Sequence, residues 1–217
     1  MSATLDNFYA YVLPEVPGCP EITADVAIRS ALIEFCEKSL VVQRDHDPIS
    51  VLKGLVDYDL EPPTGQLVVK VLKVWFQSKE LDPVAPDNID KAEVYNTLFA
   101  NADVSQADPR QYLQKDERTI SLFPIPKESA ANALTLRVAL KPTRTATSFE
   151  DVLFQDYAEV IAHGAKCRLL GMANKPWTNG PAAASALTQF NSGVNVARQR
   201  ASRGNTRAEV RIQLTGV

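Results

Sequence analysis

The chain has 217 residues, 45% hydrophobic and 23% charged, the proportions of a protein that buries a core rather than a disordered one. No apolar run approaches the roughly 18 residues that cross a bilayer, and MSATLDNFYAYVLPEV lacks the basic and apolar regions of a secretory signal, so neither a membrane span nor export is expected. The net charge of −3 hides a split: from His163 onward eight basic residues face one acid, Glu209, for +7, which leaves 15 basic and 25 acidic groups, or −10, in the first 162.

Leu5, Phe8, Tyr9 and Val12 recur at helical spacing, and Leu13-Pro14 ends that short helix. VPGCPE is a turn, with Pro20 where a first helical turn accepts it. From Glu21 to about Val42 a wide apolar stripe predicts a long helix through Ile22, Val26, Ile28, Arg29, Leu32, Ile33, Phe35, Cys36 and Leu40, which RDHDP breaks. Residues 48–147 read differently. Ile49, Val51, Leu52 and Leu55 begin a β-like stretch, EPPTG is a turn, and QLVVKVLKVWF is dense in β-branched and aromatic residues. QSKE is a hairpin connection leading to LDPV. A short helix over Asn88–Ala100 and the polar NADVSQADP follow. TISLFPIP and ALTLRVAL are two more strands joined by a polar loop at Lys127–Asn132, with prolines 124, 126 and 142 at edges or exits. Five or six mainly antiparallel strands forming a small sandwich are expected.

Helical periodicity returns at Phe149, with Ser148 as the cap and Glu150 and Asp151 in the first turn. Leu153, Tyr157, Val160, Ile161, Ala165, Arg168 and Leu169 carry the stripe to about Met172. ANKPWTNGP stops it. Asn179 or Gly180 caps the last helix, Pro181 starts it, and Leu187, Phe190, Val194 and Ala197 line its buried side. The small residues of AAASA and NSG permit close approach to a neighbour, and Gly204 ends the helix.

The final residues, NTRAEVRIQLTGV, alternate without a slip. Ala208, Val210, Ile212 and Leu214 take one face, and Arg207, Glu209, Arg211 and Gln213 the other, the pattern of a half-buried strand. A lone strand has no stability of its own, so it pairs either within the chain's own β-domain or with another molecule. The whole is an α+β fold: a helical bundle from residues 1–47 and 148–204, an inserted antiparallel β-sandwich-like domain at 48–147, and an extended tail at 205–217.

Chemistry is sparse. There is no GxSxG, HExxH, Walker loop or GxGxxG. His46 lies between Asp45 and Asp47, but adjacent residues seldom converge on one ion, and Asp-Pro is ordinary turn chemistry. His163 sits mid-helix as a packed or surface residue. Glu34 and Glu37 read as solvated helix surface. Cys19, Cys36 and Cys167 are odd in number and widely spaced, which suits free thiols in a reducing cytosol better than a disulfide framework. No catalytic residue, cofactor or metal is expected. Arg198, Arg200, Arg203, Arg207 and Arg211 crowd the C-terminal end and suit an anionic partner, or a basic helix face that balances the acidic part of the same fold. No aromatic follows Phe190, so bases have nothing to stack on, and any DNA contact is nonspecific.

Several segments, taken in order, resemble the head-to-tail adaptor (connector) proteins of tailed bacteriophages. They are YVLPEVPGCPEITADVAIRSALIEFCEKSLVVQ, DLEPPTGQLVVKVLKVWFQSKELDPVAPD, FPIP, LRVALKPTR, and FQDYAEVIAHGAKCRLLGMANKPWTN with its alanine-rich helix. The resemblance spans residues 7 to 203. It implies a virion protein, assembled in the host cytoplasm, that forms a ring, commonly of twelve copies, beneath the portal protein. Such a ring extends the DNA channel and gives tail or neck proteins a platform. In this setting Arg207, Ala208, Val210, Arg211, Ile212 and Leu214 would contact the portal or a neighbouring subunit. Arg198, Arg200 and Arg203 would meet packaged double-stranded DNA or an acidic partner. Two other readings stand beside it: a tail-completion or tail-terminator protein, and a nonspecific DNA-binding accessory protein.

Overall fold

The computed structural model describes residues 2–85 and 106–204. The helix expected at Asn88–Ala100, the first part of NADVSQADP and the C-terminal strand lie outside the described residues. Residues Val42–Lys141 form one compact unit, and the described residues on either side of them form another.

The helical unit opens with β1 (Ser2–Thr4), a 3-10 turn, α1 (Tyr9–Val12) and a second 3-10 turn. Next comes α2 (Glu21–Ser39), then, after the β unit, β10 (Ser148–Glu150), α3 (Asp151–Gln155), α4 (Ala158–Leu170) and α5 (Gly180–Arg203). The core of the unit holds Phe8, Ile28, Leu32, Phe35, Ile161 and Phe190, all fully buried. α2 stops at Leu40, whose φ of 54° is left-handed and whose N–H bonds back to the Cys36 carbonyl. The helix thus ends before RDHDP.

Three expectations fail here. RDHDP does not break a helix: it lies in β2 (Gln43–Val51), which pairs antiparallel with β9 (Ala130–Pro142) through two register shifts on either side of Ile49. Asp, Pro and a bulge blunt a strand edge as well as they make a turn, so the same residues serve both. Ser148 does not cap a helix: it sits in β10, opposite Thr4 of β1. The stripe from Phe149 to Met172 is split, because α3 ends at Asp156 and α4 restarts at Tyr157.

The β unit comprises β2, β3 (Asp57–Asp59), β4 (Gln66–Phe76), β5 (Lys79–Glu80), β6 (Asp82–Pro83), β7 (Gln111–Gln114), β8 (Thr119–Phe123) and β9. They make two four-stranded sheets, ordered β2-β9-β4-β5 and β3-β8-β7-β6. Among the described residues of this unit there are eight strands rather than the five or six expected, because β3, β5 and β6 are two or three residues long and too short for periodicity to register. The β6–β7 pair is parallel, whereas the β2–β9, β3–β8, β4–β5 and β7–β8 pairs are antiparallel. Leu134, Leu136, Val138 and Leu140 of β9 are all buried, at alternate positions. β8 and β9 belong to different sheets, so the loop between them carries the chain from one to the other. The QSKE connection is a two-residue hairpin: Phe76 faces Lys79, while Gln77 and Ser78 hold φ of 48° and 67°.

Candidate functional site

The last helix carries the residues singled out for partner contact. Asn179 is its N-cap, its side chain accepting from the Ala182 N–H at 3.2 Å, and Pro181 fits the first turn. Ala186, Phe190, Val194 and Ala197 are buried at i, i+4, i+8 and i+11, one face of an α-helix. Leu187, expected on that face, is 47% exposed, and Ala186 takes its place. The helix sits close to α4 at two reciprocal points. A Cβ on Gly164 of α4 would lie 2.7 Å from the Phe190 ring, and one on Gly193 of α5 would lie 2.5 Å from a methyl of Val160. The NSG stretch is therefore the close-approach point, as its small residues predict.

Arg168 holds this packing from the side. Its guanidinium bonds the Glu34 carboxylate of α2 and the Gly164 carbonyl, and lies 5.9 Å from the centroid of the Phe190 ring. Glu34 also takes Lys38, one turn on. Burial alone raises the Glu34 carboxyl, but the Lys38 hydrogen bond and the Arg168 charge outweigh it and hold the group below its ordinary value. Periodicity placed Arg168 in an apolar stripe and Glu34 on solvated surface, and the two are instead half-buried ion-pair partners. The one local signal was the Glu34–Lys38 spacing of i,i+4. Lys166, similarly, is buried and reaches Glu15 at 2.8 Å.

Arg198, Arg200 and Arg203 are exposed in the last turns of α5, where the helix C-terminus favours cations. The structure does not gather them into one cluster. Arg200 turns to Asp156, 3.2 Å away. Arg198 lines a groove of about 470 Å³ with Glu37, Lys38 and Leu40 from the end of α2 and Asn191 and Asn195 of its own helix. Gly204, with φ of 66°, ends the helix beyond Arg203. Arg207, Ala208, Val210, Arg211, Ile212 and Leu214 lie outside the described residues.

The reactive groups are occupied by structural roles. The Glu61 N–H donates to His46 Nε2 at 2.9 Å, so Nδ1 carries the ring proton and donates to the Asp47 carbonyl at 2.6 Å. His163 is held below its ordinary pKa by burial and by Lys166. Burial pushes the Cys36 thiol up to about 12, which makes it a packed apolar group rather than a nucleophile. Tyr9 donates to Asp25 at 2.6 Å, and that bond, with partial burial and the nearby acids, raises the phenol to about 12. Among the described residues no group of three His, Cys, Asp or Glu could hold a metal ion, and no helix is long and apolar enough to cross a membrane.

No match is found among curated proteins. The family model described as SU10 adaptor protein matches residues 5–211, which spans most of both compact units, the segments that carry the resemblance and all three exposed arginines of α5. The chain therefore belongs to the SU10 adaptor protein family and is a phage structural adaptor.

Proposed function

We propose that this adaptor forms a ring beneath the portal protein, extends the channel through which DNA passes, and provides the platform on which the tail is attached. The observation that carries this reading is the family match over residues 5–211. The geometry of α5 supports it: the helix is locked into the bundle at Gly164 and Gly193, and its cationic end directly precedes the tail in sequence. The tail then adds a strand to a sheet of the portal or of the next subunit. Main-chain hydrogen bonds give affinity, and Ala208, Val210, Ile212 and Leu214 on one face give register. Arg207 and Arg211 on the other face, with Arg198 and Arg203 before them, meet an acidic portal surface or the backbone of packaged DNA.

Negative-stain imaging of the protein mixed with its portal tests the reading. Rings stacked on the portal are the expected result. A chain ending at Gly204 should keep its helical circular dichroism and lose portal docking. Docking of the truncated chain at full affinity refutes the role of the tail. Copurification with tails and not with heads refutes the portal assignment and favours a tail-completion protein.

A further inference from the structure

β3 has an open edge that no described strand occupies. It stands at one end of the β3-β8-β7-β6 sheet. Its ladder with β8 runs past the three strand residues: the Leu122 N–H donates to the Val56 carbonyl at 3.0 Å, and the Leu60 N–H to the Arg118 carbonyl at 2.6 Å. Antiparallel pairs alternate between bonded and unbonded, so Val56, Tyr58 and Leu60 turn their main chain toward β8. Asp57 and Asp59, between them, turn theirs outward, two donors and two acceptors with no partner among the described residues. Other edges are poorer acceptors. β2 is interrupted by its register shifts and Pro48, and β5 and β6 are two residues long.

The two faces of this edge differ. Tyr58 is buried, and its hydroxyl donates to the Leu55 carbonyl at 2.9 Å, which sets the Leu52–Leu55 turn on the side to which Tyr58 points. The turn is pinned by the Lys53 N–H on Ser129 Oγ and the Gly54 N–H on the Pro126 carbonyl. It nevertheless holds Leu52 53% and Leu55 41% exposed. Asp57, Asp59 and Glu61 alternate onto the opposite side. Lys115 and Ser121 take Asp57, whereas Asp59 and Glu61 are exposed and have no ion pair among the described residues. Such an edge fits an extended segment that is apolar on one face and cationic on the other, and its carboxylates discriminate against acidic strands.

The chain carries a segment of that kind. Residues 205–217 follow the helix end at Gly204, and extended at about 3.3 Å per residue they reach about 40 Å. Their alternation sets Ala208, Val210, Ile212 and Leu214 against Arg207 and Arg211. Resting on the ring reading above, and choosing the next subunit over the portal, we infer that this segment of one copy adds to β3 of the next. Arg211 lies opposite Asp59, and Val210 and Ile212 fall on the Tyr58 side, where Leu52 and Leu55 are exposed. Every copy has one tail and one open edge. These are unlike surfaces, so the contact repeats head to tail and closes into a ring when the rotation allows.

The test oxidises rings formed on the portal from two single variants mixed together, Asp59→Cys and Arg211→Cys. Residues opposite each other in a ladder stand about 4.5–5.5 Å apart, within disulfide reach. A covalent dimer is expected that wild type, with its three free cysteines, does not give. Asp59→Arg should need about fivefold more protein for half-maximal ring occupancy by negative stain, the effect of turning a cross-strand attraction into a repulsion. Adding Arg211→Asp to the same chain should restore it. Circular dichroism checks each fold, and if Asp59→Arg unfolds, the disulfide decides alone. Rings that form without the mixed dimer overturn this inference and leave the ring reading intact. So does a disulfide that forms only within a chain carrying both cysteine substitutions, which would put the tail on its own β unit. Wild type that docks on the portal without forming a ring overturns both.

Discussion

Gly164 is the point at which three helices of the bundle meet. A Cβ placed on it would lie 2.7 and 2.8 Å from two carbons of the Phe190 ring and 3.0 Å from the Ala31 Cβ. Phe190 and Ala31 are both fully buried, so neither can swing into solvent to make room. Gly164→Ala must push α5 or α2 away from α4, and overpacking of this kind costs about 1–3 kcal/mol. Alanine returns about 0.5–1 kcal/mol in a helix interior by restricting the unfolded chain. The net expectation is a loss of roughly 0.5–2 kcal/mol, which in a chain of this size lowers Tm by several degrees.

Two companion variants isolate the cause. Gly180→Ala, at the first turn of α5, adds a Cβ that meets nothing within 4 Å, so it should raise stability by up to about 1 kcal/mol. In a Phe190→Ala background, itself costing about 3–5 kcal/mol, the ring is gone and Gly164→Ala should become neutral or stabilising. Urea unfolding of the four combinations gives the coupling directly. Gly164→Ala at or above wild-type stability, or an equal penalty without the Phe190 ring, would refute the close-approach argument.

Three further outcomes follow from the same geometry. Glu15→Ala should destabilise more than Lys166→Met in urea, by about 1 kcal/mol. It strands a buried ammonium, whereas the methionine fills the same space without a charge, and the exposure of Glu15 keeps the difference modest. The depressed Glu34 carboxyl contributes stability that is fully present above the unfolded value of about 4.3 and is lost as pH falls through its lower folded value. Tm measured from neutral pH downward should therefore converge for wild type and Glu34→Gln at acid pH, the gap being widest near neutrality. Replacing Gln77-Ser78 by Asn-Gly, at positions whose φ of 48° and 67° suit those residues, should raise thermal stability by roughly 1 kcal/mol without moving the hairpin register.

What the sequence made legible was local. The α2 stripe, the β-branched run of β4, the QSKE hairpin and the Asn179 cap each depend on residues a few positions apart, and each appears where periodicity or capping chemistry put it. The failures lie where a distant partner decides. Ser148 suits an N-cap, but Thr4 takes it into a two-stranded sheet across more than half the chain. Leu187 fits the helical stripe, yet the bundle is so close at Gly193 that the small Ala186 is the residue turned inward. Arg168 falls in the helical stripe by spacing alone, and its role as an ion-pair partner is not legible because its counter-ion, Glu34, is on another helix.

The charge split between the two ends of the chain can now be divided. Three of the eight C-terminal cations are matched by acids from earlier in the chain or helix: Lys166 by Glu15, Arg168 by Glu34, and Arg200 by Asp156. For these, the bland explanation of a fold balancing itself is sufficient. Among the described residues, Lys175, Arg198 and Arg203 have no ion pair. Two of them stand in the last two turns of α5, directly before Arg207 and Arg211 in sequence. The surplus left without an ion pair among the described residues is therefore smaller than the raw count of +7, and two of its three members lie at the C-terminal end of α5. A uniformly basic helix face would have spread it along α5, whose first four turns carry no cation at all.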